Sequence, residues 1–267
     1  MPELPEVQTV VSQLKKRLWG AQIVKFTIYD KQKINLPRQI KHRTIADIVR
    51  CAKYVVIVLS APNKKDVYLA IHLRMTGQLL ISRDHKAACL NKSRVDFYTE
   101  RGILQFCDVR RFGTISYAKI NSFARSELEP LEKGFTVERL HALLIASRCN
   151  LKSFLLNQNK LVGVGNIYAA EILHRAQLSP KKLCLTLSKK QIIVLQQSIQ
   201  RVLKEAIKNR GTTISDYRDT DKSRGKFQNR LRVYGREGKA CARCSSIIKR
   251  IKQGGRSTYY CPDCQYK

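Results

Sequence analysis

The chain has 267 residues, 43% of them hydrophobic, so it is long enough to bury a core in one or two domains and is not a disordered tail. Its 51 Lys and Arg against 20 Asp and Glu give a formal net charge of +31, which repels itself unless it meets a polyanion. Nucleic acid is therefore the expected partner, although charge alone leaves a ribosomal or membrane-surface role open.

No run approaches the roughly 18 apolar residues of a membrane span, and the N-terminus lacks the pattern of a signal peptide. We therefore expect a cytoplasmic protein without membrane contact. Four of the nine cysteines form two tight pairs, and the other five are scattered: Cys51, Cys89, Cys107, Cys149 and Cys184. This distribution predicts a metal site plus reduced thiols.

The apolar residues from Pro5 to Leu18 recur at helical spacing, which predicts a helix almost at the N-terminus. Residues 21–118 alternate apolar and polar positions, as antiparallel β-strands do. The stretch Ser122–Gly134 loses this alternation and is interpreted as a linker. Helical spacing returns beyond it in four segments: Val137–Ser147, Leu151–Leu156, Ile167–Ala176 and Lys189–Asn209.

The two cysteine pairs, Cys241 with Cys244 and Cys261 with Cys264, are 16 residues apart, which is typical of a structural zinc site. Four thiolates fill the zinc tetrahedron and leave no position for a reactive water. Two disulfides or four idle thiols are the alternatives. The segment between the pairs carries cations expected to grip phosphate, although a solvated charged face is the usual meaning of such a run: Lys249, Arg250, Lys252 and Arg256.

The N-terminus is a candidate reactive group, because Met1 before the small residue Pro2 is normally removed. The freed secondary amine of Pro2 would be a nucleophile, and its attack on a sugar C1′ would link base removal to strand cleavage. Glu3 could move protons beside it. Read alone, the same segment more often indicates a helix cap with two glutamates, Glu3 and Glu6, that favour the helix dipole.

Four blocks of sequence, in this order and spanning nearly the whole chain, resemble formamidopyrimidine-DNA glycosylases. They begin with Pro-Glu-Leu-Pro-Glu-Val at Pro2 and Asp-Val-Arg-Arg-Phe-Gly at Asp108. Leu-Val-Gly-Val-Gly-Asn-Ile-Tyr at Leu161 and Gly-Arg-Ser-Thr-Tyr-Tyr-Cys-Pro at Gly255 complete them. The resemblance implies excision of 8-oxoguanine and formamidopyrimidines from damaged double-stranded DNA by a bacterial, nucleoid-associated monomer, followed by β,δ-elimination.

The fold that the resemblance implies is of the α+β class. An N-terminal antiparallel β-sandwich with a flanking helix would occupy residues 1–120, and 121–135 would be the linker. A helix-two-turn-helix domain would occupy 136–230, followed by a zinc ribbon with one structural Zn²⁺ at 231–267. This layout is similar to the one predicted from the spacing of apolar residues.

The resemblance also implies roles for single residues. Pro2 would be the Schiff-base nucleophile, Glu3 the acid/base and Glu6 its support. Lys53, which alone would be read as a surface lysine, would protonate during β-elimination. Arg256 would serve δ-elimination and grip phosphates.

Further residues would contact the DNA. Asn166 and Lys152 would bind phosphates. Met75, Arg110 and Phe112 would be the filling triad, which occupies the gap left by a rotated base. Without the resemblance, Met75 and Phe112 would be read as core residues.

One tract departs from the family pattern: Lys92-Ser93-Arg94 stands where a His-x-His is usual at a DNA-contacting position. Charge is preserved there, and Lys92 is expected to contact DNA. A loop placed at Ile214–Lys226 would choose the lesion.

Two other functions remain open from the sequence. An endonuclease VIII-type enzyme for oxidised pyrimidines shares this fold but usually opens Pro-Glu-Gly-Pro-Glu, whereas this chain has Leu4. A noncatalytic zinc-ribbon nucleic-acid binder would not need Pro2, Glu3, Lys53 and Arg256 together.

Overall fold

The computed structural model describes residues 1–82, 89, 92–118 and 128–266. The chain divides into two compact units, one formed by Met1–Arg125 with Ile207–Gln228 and one by Ser126–Ala206 with Asn229–Lys267. Residues 207–228 thus belong with the first unit, whereas the sequence had assigned them to the 136–230 domain. The other predicted domain boundaries remain predictions. Among the described helices, none has the length and apolar character that a membrane crossing requires.

Among its described residues, the first unit contains helix α1 (Leu4–Leu18) and eight strands in two antiparallel four-stranded sheets. One sheet has the order β1-β6-β7-β5: Ile23–Ile28, Ser93–Thr99, Gly102–Cys107 and Gln78–Ser82. The other has the order β2-β3-β4-β8: Thr44–Cys51, Tyr54–Ala61, Lys64–His72 and Thr114–Ala118.

One hydrophobic core joins both sheets to α1. The helix contributes its regularly spaced apolar side chains, such as Val7 and Leu14, and the sheets contribute Ile57 and Phe106. All of these side chains are almost fully buried. The predicted β-sandwich with a flanking helix is therefore confirmed.

In the part that the structure describes, the second unit contains four α-helices and a β-hairpin. These helices are α2 (Val137–Ile145), α3 (Leu151–Leu156), α4 (Asn166–Ala176) and α5 (Lys189–Lys208), whose last two residues belong to the first unit. Thr136 and Asn150 cap α2 and α3 by accepting backbone N–H groups with their side chains. The hairpin pairs β9 (Lys249–Gln253) with β10 (Arg256–Tyr260).

The predicted linker, 121–135, is only partly described, because residues 121–127 lie outside the described ranges. The remainder is packed into the second unit. Leu128 is buried and its backbone pairs with residues at Leu161, where the Val162 N–H donates to the Leu128 carbonyl at 3.2 Å. Phe135 is also buried. Residues 128–135 are therefore part of a folded unit, which loss of β alternation could not reveal.

Candidate active site and nucleic-acid interface

The two residues directly before α1 are buried, whereas Met1 is exposed. Pro2 is buried, and Glu3 is the N-cap of the helix with only 3% of its surface exposed. The Glu3 N–H donates to Oε2 of Glu6 at 2.8 Å. The positive end of the helix dipole favours carboxylates here. The structure thus places Pro2 and Glu3 together at one sheltered helix start.

Glu6 holds this helix start to a distant part of the chain. Its Oε1 accepts the backbone N–H of Thr212 at 2.7 Å, and its carbonyl accepts the Tyr217 hydroxyl at 3.4 Å. Burial, and then the charge of Glu6, raise the pKa of the Tyr217 hydroxyl. The two carboxylate oxygens of Glu6 therefore hold two backbone segments together, the one at Glu3 and the one after α5.

Lys53 lies in the turn between β2 and β3 and is only 6% exposed, so it is not an ordinary surface lysine. The next residue, Tyr54, pairs with His72 across the sheet, with ring centroids 4.7 Å apart. Burial lowers the pKa of His72 to about 4, and the charges of Arg74 and Lys53 contribute to this shift. Lys53 and His72 therefore share one buried electrostatic environment.

The filling triad forms one exposed cluster. Met75 and Phe112 are each 44% exposed, so the alternative in which they belong to the core is wrong. The Arg110 guanidinium links them, with Nη1 3.6 Å from the Met75 sulfur and Cζ 4.8 Å from the centre of the Phe112 ring. Two apolar side chains and one cation are thus presented together.

The Lys92-Ser93-Arg94 tract divides between surface and interior. Lys92 is exposed and borders a cavity of about 620 Å³ that Arg111 also lines. Arg94 is only 2% exposed, and its guanidinium donates to Asp30 at 3.1 Å and to the Gly113 carbonyl at 2.8 Å. Arg94 therefore braces the interior, and of these two basic residues only Lys92 is exposed to solvent.

In the second unit, Asn166 and Lys152 converge on the hairpin. The Asn166 side-chain amide donates to the Ser257 carbonyl at 3.0 Å, and the Lys152 ammonium donates to the same carbonyl at 2.8 Å. Arg256 precedes Ser257 and is exposed at the start of β10. Asn166 and Lys152 thus hold the backbone beside Arg256.

Lys152 was expected to contact a phosphate directly, but the structure places its ammonium inside the protein. Lys152 is 1% exposed, and its ammonium also donates to the Thr258 hydroxyl. Burial, and then the charge of Arg256, lower the pKa of Lys152 to about 8. A lysine occupied by two protein acceptors is a brace for the hairpin, which sequence spacing could not distinguish from a surface cation.

The cysteine cluster fits a zinc ion. The four sulfurs of Cys241, Cys244, Cys261 and Cys264 all lie within 4.8 Å of one another. Zinc–sulfur bonds of about 2.3 Å in a tetrahedron separate the sulfurs by about 3.8 Å, so the spacing matches. With four thiolates there is no open position. The prediction of one structural zinc is confirmed.

Helix α4 supports this zinc ribbon with two residues that the sequence analysis missed. The Glu171 carboxylate accepts three backbone N–H groups, from Arg232, Val233 and Tyr234, at 2.9–3.0 Å. His174 Nε2 lies 3.4 Å from the Cys241 sulfur. Glu171 and His174 are three positions apart and lie on the same face of one helix. That spacing of two polar residues among apolar ones was the signal available in the sequence.

The expectation that all five scattered cysteines are reduced is wrong for two of them. Cys89 and Cys107 form a disulfide, whereas Cys51, Cys149 and Cys184 are reduced thiols. Cys107 ends β7, and the Cys89 N–H donates to the Gln105 side chain at 3.2 Å. The sheet brings the two residues together, which an 18-residue separation in sequence does not indicate.

Three family models match this chain in order. The formamidopyrimidine-DNA glycosylase N-terminal domain matches residues 1–115, and the H2TH domain of the same family matches 127–218. The zinc finger found in FPG and IleRS matches 238–265. The chain therefore belongs to the formamidopyrimidine-DNA glycosylase family.

Similar proteins agree with this assignment over their full length. The formamidopyrimidine-DNA glycosylase of Pelotomaculum thermopropionicum is 39% identical over 278 residues, covering 99% of both chains. The Thermus thermophilus MutM (Fpg) crystal structure superposes with a TM-score of 0.89 at 33% identity, covering 100% of this chain and 99% of that one. A complex of Lactococcus lactis Fpg with DNA containing an abasic site gives 0.90 at 32%, covering 99% and 100%.

Proposed function

We propose that this protein is a bifunctional DNA glycosylase and abasic-site lyase of base excision repair that removes 8-oxoguanine and formamidopyrimidines. The observation that carries the proposal is full-length membership of this family together with Pro2 and Glu3 buried at the start of α1. A chain that served only as a scaffold for binding would not need a sheltered nucleophile and acid at that position.

The chemistry begins once Met1 is removed, because an amide nitrogen cannot attack and a free secondary amine can. The Pro2 nitrogen bonds to C1′ of the damaged nucleotide, and the bond from C1′ to the base breaks. Glu3 moves the protons that this exchange requires. Opening of the sugar leaves an iminium ion between Pro2 and C1′.

The iminium ion makes the C2′ proton acidic, so its loss expels the 3′ phosphate. A second elimination releases the 5′ phosphate and the sugar fragment. Lys53 supplies a proton during the first elimination, which its placement in a sheltered turn supports. Arg256 grips the flanking phosphates, and the braced Ser257 backbone beside it supports this role.

The damaged base must leave the stack before Pro2 can reach the sugar, which costs a few kcal/mol. The filling triad is exposed, and its Met and Phe fit the gap while Arg110 can bond the orphaned partner base. Lys92 and Asn166 add contacts to the backbone. These positions support binding to duplex DNA that contains a lesion.

A cleavage assay tests the proposal. A duplex with a single 8-oxoguanine should be cut to fragments with phosphate at both new ends, and the undamaged duplex should not. The Glu3→Gln variant should bind the duplex but not cut it. The Glu100→Gln variant, changed at an exposed glutamate in the β6–β7 turn, should cut normally. Absence of lesion-dependent cutting by zinc-loaded protein beginning at Pro2 would overturn the proposal.

Oxidised pyrimidines are the second candidate substrates. A wild-type Lactococcus lactis Fpg structure, 32% identical with a TM-score of 0.87, contains DNA with an oxidised pyrimidine. The same assay with an oxidised pyrimidine duplex therefore measures the preference directly. Faster cutting of the purine lesion supports the proposed branch, and faster cutting of the pyrimidine lesion overturns it.

The proposal includes a monomeric state and a cytoplasmic location, as expected from the sequence. Light scattering across a concentration series should give a single mass of about one chain, calculated as 30.7 kDa with Met1 included. A mass that doubles at the concentrations used for cleavage would contradict the monomeric state.

A further inference from the structure

The filling triad comes from two separate loops of the first unit. Met75 lies between β4 and β5, whereas Arg110 and Phe112 lie in the turn between β7 and β8. The three side chains would enter the same gap in the base stack. The two loops that carry them must therefore hold fixed positions relative to each other during insertion.

Both loops contain an arginine in the left-handed backbone region, which is costly for a residue other than glycine. Arg74 has a φ of +52° and Arg111 a φ of +56°. Each is held by a hydrogen bond: the Arg74 N–H donates to Nδ1 of His72 at 3.0 Å and the Arg111 N–H to the Asp108 carbonyl at 3.3 Å. Such conformations persist only where surrounding contacts maintain them.

One hydroxyl group connects the two loops. Thr76, which follows Met75, donates from Oγ1 to Oδ1 of Asp108 at 2.5 Å. Oγ1 of Thr76 also accepts the backbone N–H of Arg110 at 3.3 Å. A single side chain is therefore bonded to the residue that begins the Arg110–Phe112 turn and to the turn itself.

The carboxylate that receives this hydroxyl is itself fixed. The Asp108 side chain is fully buried, and its Oδ2 accepts the Gly113 N–H at 2.6 Å. The buried Arg94 guanidinium lies 3.7 Å from the same oxygen and donates to the Gly113 carbonyl at 2.8 Å. Both ends of the turn are thus tied to Asp108, and Thr76 attaches the Met75 loop to this rigid group.

We propose that Thr76 is a positioning residue whose hydroxyl couples the Met75 loop to the Arg110–Phe112 turn, so that the filling triad enters damaged DNA as one preorganised unit. This inference rests on the proposed function, because it assigns a role within the opening of the duplex. Preorganisation matters because side chains ordered before binding lose less conformational entropy when they insert.

Thr99 provides a matched control. Thr99 is the last residue of β6, and its hydroxyl donates to the backbone carbonyl of Gly102 at 2.8 Å and accepts the backbone N–H of Arg101 at 3.2 Å. Thr76→Val and Thr99→Val therefore each delete one hydrogen bond that the hydroxyl donates and one that it accepts, and only Thr76 lies beside the triad. Thr76→Ser keeps the hydroxyl and should restore function.

Insertion is measured without chemistry, from the fluorescence rise of a 2-aminopurine base placed next to the lesion and recorded after rapid mixing. Thr76→Val should slow this rise about tenfold, while Thr76→Ser and Thr99→Val stay within about twofold of wild type. In a Phe112→Ala background, Thr76→Val should cost less than about twofold, because the coupled partner is already absent.

Equal slowing by Thr76→Val and Thr99→Val would overturn the inference, as would the same tenfold cost with and without Phe112. Failure of Thr76→Ser to restore the rate would do so too. A wild-type protein that inserts but does not cut would overturn the proposed function alone. A wild-type protein that shows no insertion signal would overturn both.

Discussion

The carboxylate of Glu6 accepts a 2.7 Å hydrogen bond from the backbone N–H of Thr212, although the two residues are 206 positions apart in the sequence. The other carboxylate oxygen accepts the N–H of Glu3 at 2.8 Å. One buried side chain therefore ties the segment that carries Pro2 and Glu3 to the segment after α5. The geometry of the N-terminus depends on residues that no local pattern connects.

Replacing Glu6 tests this connection. Glu6→Gln keeps the size of the side chain but turns one acceptor oxygen into a donor, which then faces a backbone N–H. We expect the free energy of unfolding to fall by about 1–3 kcal/mol, measured by urea denaturation. Glu100→Gln is the exposed control and should change stability by less than about 0.5 kcal/mol. Equal stability of the two variants would contradict the role assigned to Glu6.

Gly211 lies close to the Glu6 carboxylate, so adding a side chain at Gly211 tests how tightly the segment after α5 packs against Glu6. Its φ is +74°, and a Cβ at this position would lie 2.6 Å from Oε1 of Glu6. Gly235 has a similar φ of +69° but nothing within 4 Å of the same position. Gly235→Ala should therefore cost only the strain of the left-handed conformation, about 1–2 kcal/mol. Gly211→Ala should cost more, and equal losses in denaturation would show that the approach to Glu6 imposes no constraint.

Acid should destabilise the protein partly through His72. Its pKa in the folded chain is about 4, below the ordinary value of about 6.5, so the folded state binds the proton less readily than the unfolded state. The contribution of His72 to the free energy of unfolding is therefore fully present above pH 6.5 and is lost as the pH falls towards 4. His72→Gln should reduce that loss by up to about 3 kcal/mol in denaturation at pH 7.5 and 4.5. The exposed His141→Gln should not, and an undiminished loss in His72→Gln would contradict the assignment.

Metal removal should unfold the ribbon. Elemental analysis should find one zinc per chain, and a chelator should lower the melting temperature, because binding energy for structural zinc is folding energy. Cys261→Ser should contain less zinc and melt earlier, whereas Cys149→Ser, a free cysteine outside the cluster, should keep its zinc. Full zinc content in Cys261→Ser would argue against the four-thiolate site.

Features with a local signal were predictable from the sequence. Helix α1 was expected to begin at Pro5 and begins at Leu4, because its apolar spacing and Pro residues act within a few positions. The zinc cysteines were predictable because two residues separate the members of each pair. Pro2 and Glu3 were candidates from the residues alone, but only the resemblance favoured that role over a helix cap, and the filling triad came from the resemblance alone.

Features that depend on long-range contacts were not predictable. Thr76, Arg94 and Asp108 are distant in sequence and ordinary in type, and only the pairing of strands brings them together. Burial of Lys152 is decided by the hairpin that packs over it. The disulfide between Cys89 and Cys107 likewise reflects the sheet and not the spacing of the cysteines.

The central claim is that the nitrogen of Pro2 becomes bonded to the damaged nucleotide. Borohydride reduction during reaction with an 8-oxoguanine duplex fixes such a bond, and mass spectrometry of the peptides locates it. Protein beginning at Pro2 should yield an adduct on that residue, and protein that retains Met1 should yield none. An adduct on a lysine, or cutting at full rate by protein that retains Met1, would contradict the account.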